Sequence, residues 1–367
     1  MKYLILIFTT FLFSCERKNS APIAISKQNA IDSFYIKDVI DNRELFKSIM
    51  FDSTIVCYNY YNGEINFYKK NGIYYTKDKT QNIVNSFYID AFSYNQNTQT
   101  SILIGKDSNN GVNNYYKIDS LGKQHLVDSI RLNLSKIQEG GYRFSSINNQ
   151  PVMFKDSNLF LVIAYNSPED FPKWFEEKAL ASINFSNNKT SEIEYLFNKP
   201  LELKQHIQTA PTFCINDNII ALVYPCIDSV FTYNVDNKSY NSHPIKNPFY
   251  KKSPFYDITR WQEADYFTSL NLKSFFYEGI FFNPKTNHYI LYFSPPVDDK
   301  IQVPNYDDKL RYAIVLDDKF EVISTYYFEE KFSSPTRYLS SSNGIYMPLK
   351  TKKQKNETTF KYYLFNL

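Results

Sequence analysis

Short apolar runs recur along the chain, most of them behind a polar turn. The six clearest are TIVCYNYY (54–61), TSILIGK (100–106), LFLVIAY (159–165), IIALVY (219–224), HYILYFS (288–294) and GIYMPLK (344–350). Turns such as Asp156-Ser157-Asn158, Asp217-Asn218 and Ser342-Asn343 stand directly before three of them. Continuous apolar character over strand length predicts a strand buried on both faces. The runs start roughly 45 to 70 residues apart, the period expected when each repeat is one four-stranded sheet.

The flanking residues supply the other strands. The first repeat reads 45–51, 54–61, 64–69 and 73–77, with Asn62-Gly63 and Asn71-Gly72 as hairpin turns. The second takes 89–94, 99–105, 112–118 and 123–128, and the third 151–155, 159–165, 179–185 and 191–196. The fourth takes 211–215, 219–224, 229–235 and 239–243, and the fifth 276–282, 288–294, 311–316 and 321–328. Outer strands alternate, as in Ile65/Phe67 and Val322/Ser324, the half-exposed pattern. The last repeat offers three strands, 335–340, 344–349 and 358–365, and IDSFYIKDV (31–39) can add the fourth. Strands from both ends of the chain would then close a ring and remove its open edge. The expected fold is all-β: a six-bladed β-propeller of four-stranded antiparallel blades, closed by an N-terminal strand that completes the last blade. A β-sandwich or two stacked all-β domains is the alternative. The only helical candidate is a short turn at 171–181.

In such blades the first-to-second and third-to-fourth loops share one face, where the segments are mostly short turns: 52–53, 156–158, 186–190, 216–218, 236–238 and 317–320. The opposite face carries long segments at 129–150, 166–178, 197–210, 244–275 and 295–310. Function concentrates on long loops over a rigid scaffold. Both tryptophans are there: SPEDFPKWFEEK holds Phe171 and Trp174, and FYDITRWQEADYF holds Tyr256, Asp257, Arg260 and Trp261. Aromatic platforms beside arginines and carboxylates suit a sugar, peptide or protein partner. The same rings suit plugging the loops onto the strands. Arg143, Arg337 and His206 are further candidates, the arginines at a channel mouth or in rim ion pairs.

The first residues address location. Met1-Lys2 precede an apolar or hydroxyl run from Tyr3 to Ser14, the layout of a secretory signal. It is too short for a spanning helix, which needs about 20 apolar residues. Leu12-Phe13-Ser14-Cys15 resembles the lipobox of bacterial lipoproteins, with Phe13 bulkier than usual. That resemblance implies cleavage before Cys15 and lipidation of its thiol, with several acyl chains holding the chain to a membrane. The organisation expected is a lipoprotein signal (1–14), a lipidated cysteine and polar tether (15–30), and a single propeller domain (31–367). The location expected is the outer membrane, lipid-anchored and facing the periplasm.

A net charge of +3 with both signs mixed along the chain gives no electrostatic case for nucleic acid. Tyr and Phe make the chain 18% aromatic, which favours pleated surfaces. Cys57, Cys214 and Cys226 are expected as buried free thiols, with Cys214 facing Ala221 rather than Cys226. His125, His206, His243 and His288 lie one per segment, with no metal-ligand spacing. No phosphate-cradling glycine loop or G-x-S-x-G elbow is present, so no metal, cofactor or catalytic residue is assigned. Asp-Ser triplets at Asp52, Asp119, Asp128 and Asp228 resemble O-glycosylation sites of exported Bacteroidota proteins, and Asp-Ser is equally ordinary turn chemistry.

With signal, tether and repeats assembled, and strand–turn–strand units such as YNVDNKSYNSHPI and LDDKFEVISTYYF, the chain resembles six-bladed propeller lipoproteins of Bacteroidota whose domain has no assigned function. That family offers no catalytic residues to transfer. Two functions follow as expectations. One is an anchored propeller that binds or scaffolds a protein, peptide or glycan through its long-loop face. The other is an exported hydrolase or lyase acting on polysaccharide or peptide, with His206, Arg143, Arg260 and Arg337 gathered around an acid.

Overall fold

The computed structural model describes residues 21–39, 48–51, 53–59, 63–82, 88–95, 100–106, 113–118, 124–126, 142–145, 153–155, 158–165, 178–184, 193–198, 211–260, 263–298, 309–329, 338–341, 343–349, 358–365 and 367. Among these, nearly every element is a strand. In chain order they are β1 (Ile23–Ile25), β2 (Asp32–Val39), β3 (Ser48–Phe51), β4 (Thr54–Asn59), β5 (Glu64–Asn71) and β6 (Tyr74–Asn82). Next come β7 (Tyr88–Asn95), β8 (Thr100–Lys106), β9 (Asn113–Ile118), β10 (Gln124–Leu126), β11 (Tyr142–Ser145) and β12 (Met153–Lys155). They continue with β13 (Asn158–Tyr165), β14 (Lys178–Asn184), β15 (Ile193–Asn198), β16 (Thr212–Asn216), β17 (Ile219–Val223), β18 (Ser229–Asn234) and β19 (Tyr240–Pro244). A helix, α1 (Ala264–Lys273), precedes β20 (Phe276–Asn283), β21 (His288–Ser294), β22 (Tyr312–Leu316), β23 (Val322–Phe328), β24 (Leu339–Ser341), β25 (Gly344–Leu349) and β26 (Thr358–Phe365). No described helix is long and apolar enough to cross a membrane.

The strands form five sheets, antiparallel within each meander. Three are the orders β10-β9-β8-β7, β16-β17-β18-β19 and β11-β13-β14-β15, the last with β12 also on β13. A fourth, β23-β22-β21-β20, receives β1 in parallel on its outer edge, with Ile23 opposite Tyr326 and Ile25 opposite Phe328. The fifth joins two meanders in the order β24-β25-β26-β2-β6-β5-β4-β3. In it β2 pairs antiparallel with β26, Phe34 opposite Tyr362, and touches β6 in parallel at Tyr35–Tyr74. The chain's early strand thus continues the meander made by its last three.

Turn chemistry explains the registers. Gly63 and Gly72 take φ of 62°, the left-handed conformation that Asn-Gly hairpins require. Asp217 (φ 47°) closes the β16–β17 turn, which puts Cys214 opposite Ala221 as its spacing implies. Cys57, Cys214 and Cys226 are buried free thiols. Apolar strand faces then pack sheet on sheet. Phe160 and Leu180 meet Phe213, Ile220 and Leu222, while Ala221 and Val223 meet Tyr277, Leu291 and Phe293. Ile290 and Val315 meet Ile345 and Met347, and Phe34 and Tyr362 meet Ile55 and Tyr75. First strands also lie against one another, β16 on β20, β20 on β24, and β24 on β3.

Three elements differ from the sequence expectation. Ile23–Ile25 and a 3₁₀ turn at Lys27–Asn29 occupy what was expected to be polar tether, because Ile25 is an apolar residue buried beside Phe328. Tyr142–Ser145, expected in a loop, is a strand on the half of β13 that β12 leaves open. The long 244–275 segment holds α1, whose Leu270 and Leu272 are buried. The expected helical turn at 171–181 falls outside the described residues as far as 177, and Lys178 opens β14.

Candidate functional site

The connections of the β16–β19 and β20–β23 sheets sort onto two ends. One end has the turns 217–218, 235–239, 284–287 and 317–321. The other has the β17–β18 link, the excursion from Ile245 to Phe275, and the link between β21 and β22. The excursion is the best described part of the long-loop face, and its base is polar and buried.

At that base Asp228, just before β18, accepts a hydrogen bond from the Tyr277 hydroxyl at 2.5 Å and from the Asn247 backbone N–H at 3.2 Å. The Asn247 amide also donates to the Tyr277 oxygen at 3.2 Å. Burial pushes the Asp228 carboxyl up from its ordinary pKa, while these donors pull it back. Burial, with the Asp228 charge beside it, pushes the Tyr277 phenol well above its usual value. The triad links β18, the excursion and β20, so the acidic side chain serves as a clasp for the loop. Beside it, the Tyr250 hydroxyl donates to the Cys226 carbonyl at 2.9 Å and Ser253 to the Phe275 carbonyl at 3.1 Å. Burial lifts the Cys226 thiol to about 11.

A second buried group lies next to the first. Lys309 Nζ donates to the Ser274 carbonyl at 2.9 Å and sits 4.5 Å from the Phe276 ring centroid. Burial lowers this ammonium to about 8, with Arg311 contributing in the same direction and Glu278 opposing. Arg311 and Glu278 form a partly exposed pair at 3.4 Å.

Above this base the excursion turns outward. The Asp257 carboxylate accepts from the Thr259 N–H and hydroxyl at 3.0 and 2.7 Å, a turn that starts a 3₁₀ segment at Ile258–Arg260. Arg260 lies 4.0 Å over the Tyr266 ring and donates through Nε to Glu263 at 2.9 Å. Tyr266 accepts from the Asp257 N–H at 2.8 Å and stacks with Tyr256 at 6.3 Å. α1 begins after Glu263 and carries Asp265 in its first turn and Lys273 in its last, the charge order its dipole favours. Phe255 and Phe267 are 59% and 38% exposed, and Tyr256 meets Phe267 edge-on at 6.0 Å. The result is an outward aromatic surface on a tied-down base.

Of the candidates named from sequence, Tyr256, Asp257 and Arg260 come together here. Their polar groups bond largely within the excursion, so the rings present the surface and the charges hold its shape. Arg143 has its backbone in β11 opposite Ala164. Cys15, Phe171, Trp174, His206, Trp261 and Arg337 lie outside the described residues. Asp228 belongs to an Asp-Ser triplet, and its carboxylate is engaged in loop bonding. Asn247, Tyr277 and Lys309 were not singled out by sequence. Their partners lie 19 to 49 residues away for the Asp228 triad and 35 for Lys309, beyond any local pattern.

No protein-family model matches the chain, and none of the curated proteins matches it. Solved structures do. A member of the DUF4221 family from Bacteroides vulgatus superposes with a TM-score of 0.64 at 15% identity, covering 92% of this chain and 97% of that one. A Bacteroides fragilis protein inferred to be exported gives a TM-score of 0.51 at 9% identity, over 95% and 100%. Regucalcin from Agrobacterium tumefaciens, a calcium-binding protein, gives 0.48 at 9% identity, over 94% and 98%. At such identities the first two likenesses concern the fold alone. Among the described residues no three His, Cys, Asp or Glu side chains gather as a metal site would require.

Proposed function

We propose that the chain is a lipid-anchored propeller of the cell envelope, facing the periplasm, that binds or scaffolds a protein, peptide or glycan without performing chemistry on it. Six blades are the architecture we assign, the last made of β24, β25, β26 and β2. The antiparallel pairing of β2 with β26 and the packing of β24 on β3 favour a closed ring. The apolar opening run ending at Cys15 supports export and lipidation, and a fold relative inferred to be exported is consistent with it.

The observation that carries the binding function is the exposed pair Phe255 and Phe267, held on an excursion clasped by Asp228, Asn247 and Tyr277. Exposed rings on a rigid base contribute contact area at low entropic cost, as binding hot spots do. The partially buried acid is engaged by its loop, which suits a scaffold better than a proton-transfer site.

Cross-linking in native envelopes, with Phe255→Ala/Phe267→Ala as the comparison, tests the proposal. Capture of a specific partner or glycan by the native chain, lost in the double variant, is expected. Capture unchanged by the double variant would move the binding surface elsewhere.

A further inference from the structure

At the long-loop end of the β20–β23 sheet, where β20 and β22 begin and β21 ends, buried polar groups gather with too few partners. Lys309 is only 6% exposed, and its ammonium has one hydrogen-bond acceptor, the Ser274 carbonyl. Among the described residues no carboxylate lies within ion-pair distance of it. A pKa of about 8 keeps it protonated at pH 7. Lysines are almost never buried unless paired, because an unpaired charge away from water is costly.

The surroundings repeat the pattern. The hydroxyls of Tyr338, Tyr292 and Ser294 are buried and have no hydrogen-bond partner among the described residues. Tyr338, directly before β24, meets the Tyr292 ring edge-on at 4.7 Å and feels the charges of Arg311 and Glu278. Phe293 pairs with Tyr312, which sets Ser294 beside Arg311. Glu278 is the extra residue of a bulge in β20, a device that re-aims a side chain, and it accepts from Arg311 Nε at 3.4 Å. Two cations thus share one carboxylate, and one positive charge is left over.

We infer that this cluster, between the β20–β23 sheet and the β24–β26 meander, binds the carboxylate of a ligand, with Lys309 and Arg311 supplying charge and Tyr338 a hydroxyl donor. One negative charge balances the excess, where a phosphate dianion would exceed it. A guanidinium also matches the planar oxygen pair of a carboxylate. The side chains of Arg311 and Glu278, each 18% exposed, keep the cluster open to solvent. An acidic sugar and a peptide C-terminus both bring this group. The inference does not rest on the Phe255–Phe267 surface.

Calorimetric titration of the purified chain with glucuronate and with N-acetyl-dialanine tests it, against the glucuronate methyl ester and the dialanine amide. Saturable binding of at least one acid, and not of its neutral counterpart, is expected, and the acid that binds tells sugar from peptide. Lys309→Met and Arg311→Gln should each weaken it about tenfold or more, and Tyr338→Phe severalfold, with the circular dichroism unchanged. Lys309→Met removes a buried charge, so it keeps the fold. No saturable binding of either acid, equal binding of the ester or amide, or unchanged affinity in Lys309→Met and Arg311→Gln overturns the site. Acid binding should persist in Phe255→Ala/Phe267→Ala, whose effect on envelope capture concerns the outward surface alone. Its loss there would move the carboxylate to that surface and overturn the assignment.

Discussion

Replacing Tyr277 by Phe removes one oxygen from a fully buried ring and breaks the clasp of the long-loop excursion at its centre. The hydroxyl donates to Asp228 and accepts from Asn247. Hydrogen bonds to a charged group contribute roughly 1.5–3 kcal/mol, so a loss of about 2 kcal/mol at pH 7 is expected. The loss should depend on pH, and its sign follows from Asp228. Burial raises that carboxyl's folded pKa, so ionised Asp228 already costs stability above that pKa. The native state regains stability as pH falls and the carboxyl protonates. The Tyr277 hydroxyl is the strongest group opposing this rise, so Tyr277→Phe lifts the pKa further. The variant's deficit should be largest at neutral pH and shrink on acidification. Urea unfolding of both proteins at pH 7 and pH 4.5, with Asp228→Asn closing a double-mutant cycle, measures this directly. A deficit equal at both pH values, or additive with Asp228→Asn, would refute the clasp.

Three other outcomes can be checked by unfolding experiments. Lys309 is lowered to about 8 from an ordinary 10.5, so the unfolded chain binds more protons in that window and stability should rise with pH across it. Lys309→Met should abolish this rise. Gly344 has φ of 130°, and a Cβ there would meet the Phe365 carbonyl oxygen at 2.9 Å, so Gly344→Ala should cost about 2 kcal/mol. Arg260→Ala should leave the thermal midpoint unchanged, because its pair with Glu263 is exposed, while weakening capture of a partner at the Tyr256–Tyr266 stack.

Most of the sheet framework is legible in the sequence because its determinants are local. A polar turn and an apolar run place β13, β17 and β25 within a residue or two, and Asp217-Asn218 fixes the Cys214–Ala221 register. The pairing of residues 31–39 with the last strand is long-range, yet it follows from counting three strands where the other repeats show four. α1 escapes the same method. Its sequence, ADYFTSLNLK, mixes helix formers with Tyr, Phe, Thr and Asn and buries only Leu270, Asn271 and Leu272. No apolar stripe of helical period announces it; the backbone N–H bonds from Ser274 to the Asn271 carbonyl and from Val297 to the Leu272 carbonyl hold its C-terminal end in place. β1 escapes because three apolar residues after a polar stretch mean nothing until the β23 edge is present to receive them. The clasp is hidden for a related reason: Asp228 looks like the turn acid that Asp-Ser usually is. Tyr277 and Asn247 become its donors only when two sheets and the loop between them meet. The elements that shape the proposed binding face are therefore the ones whose partners are distant in sequence, and a substitution at Tyr277 should alter that face while leaving the β16–β19 registers as they are.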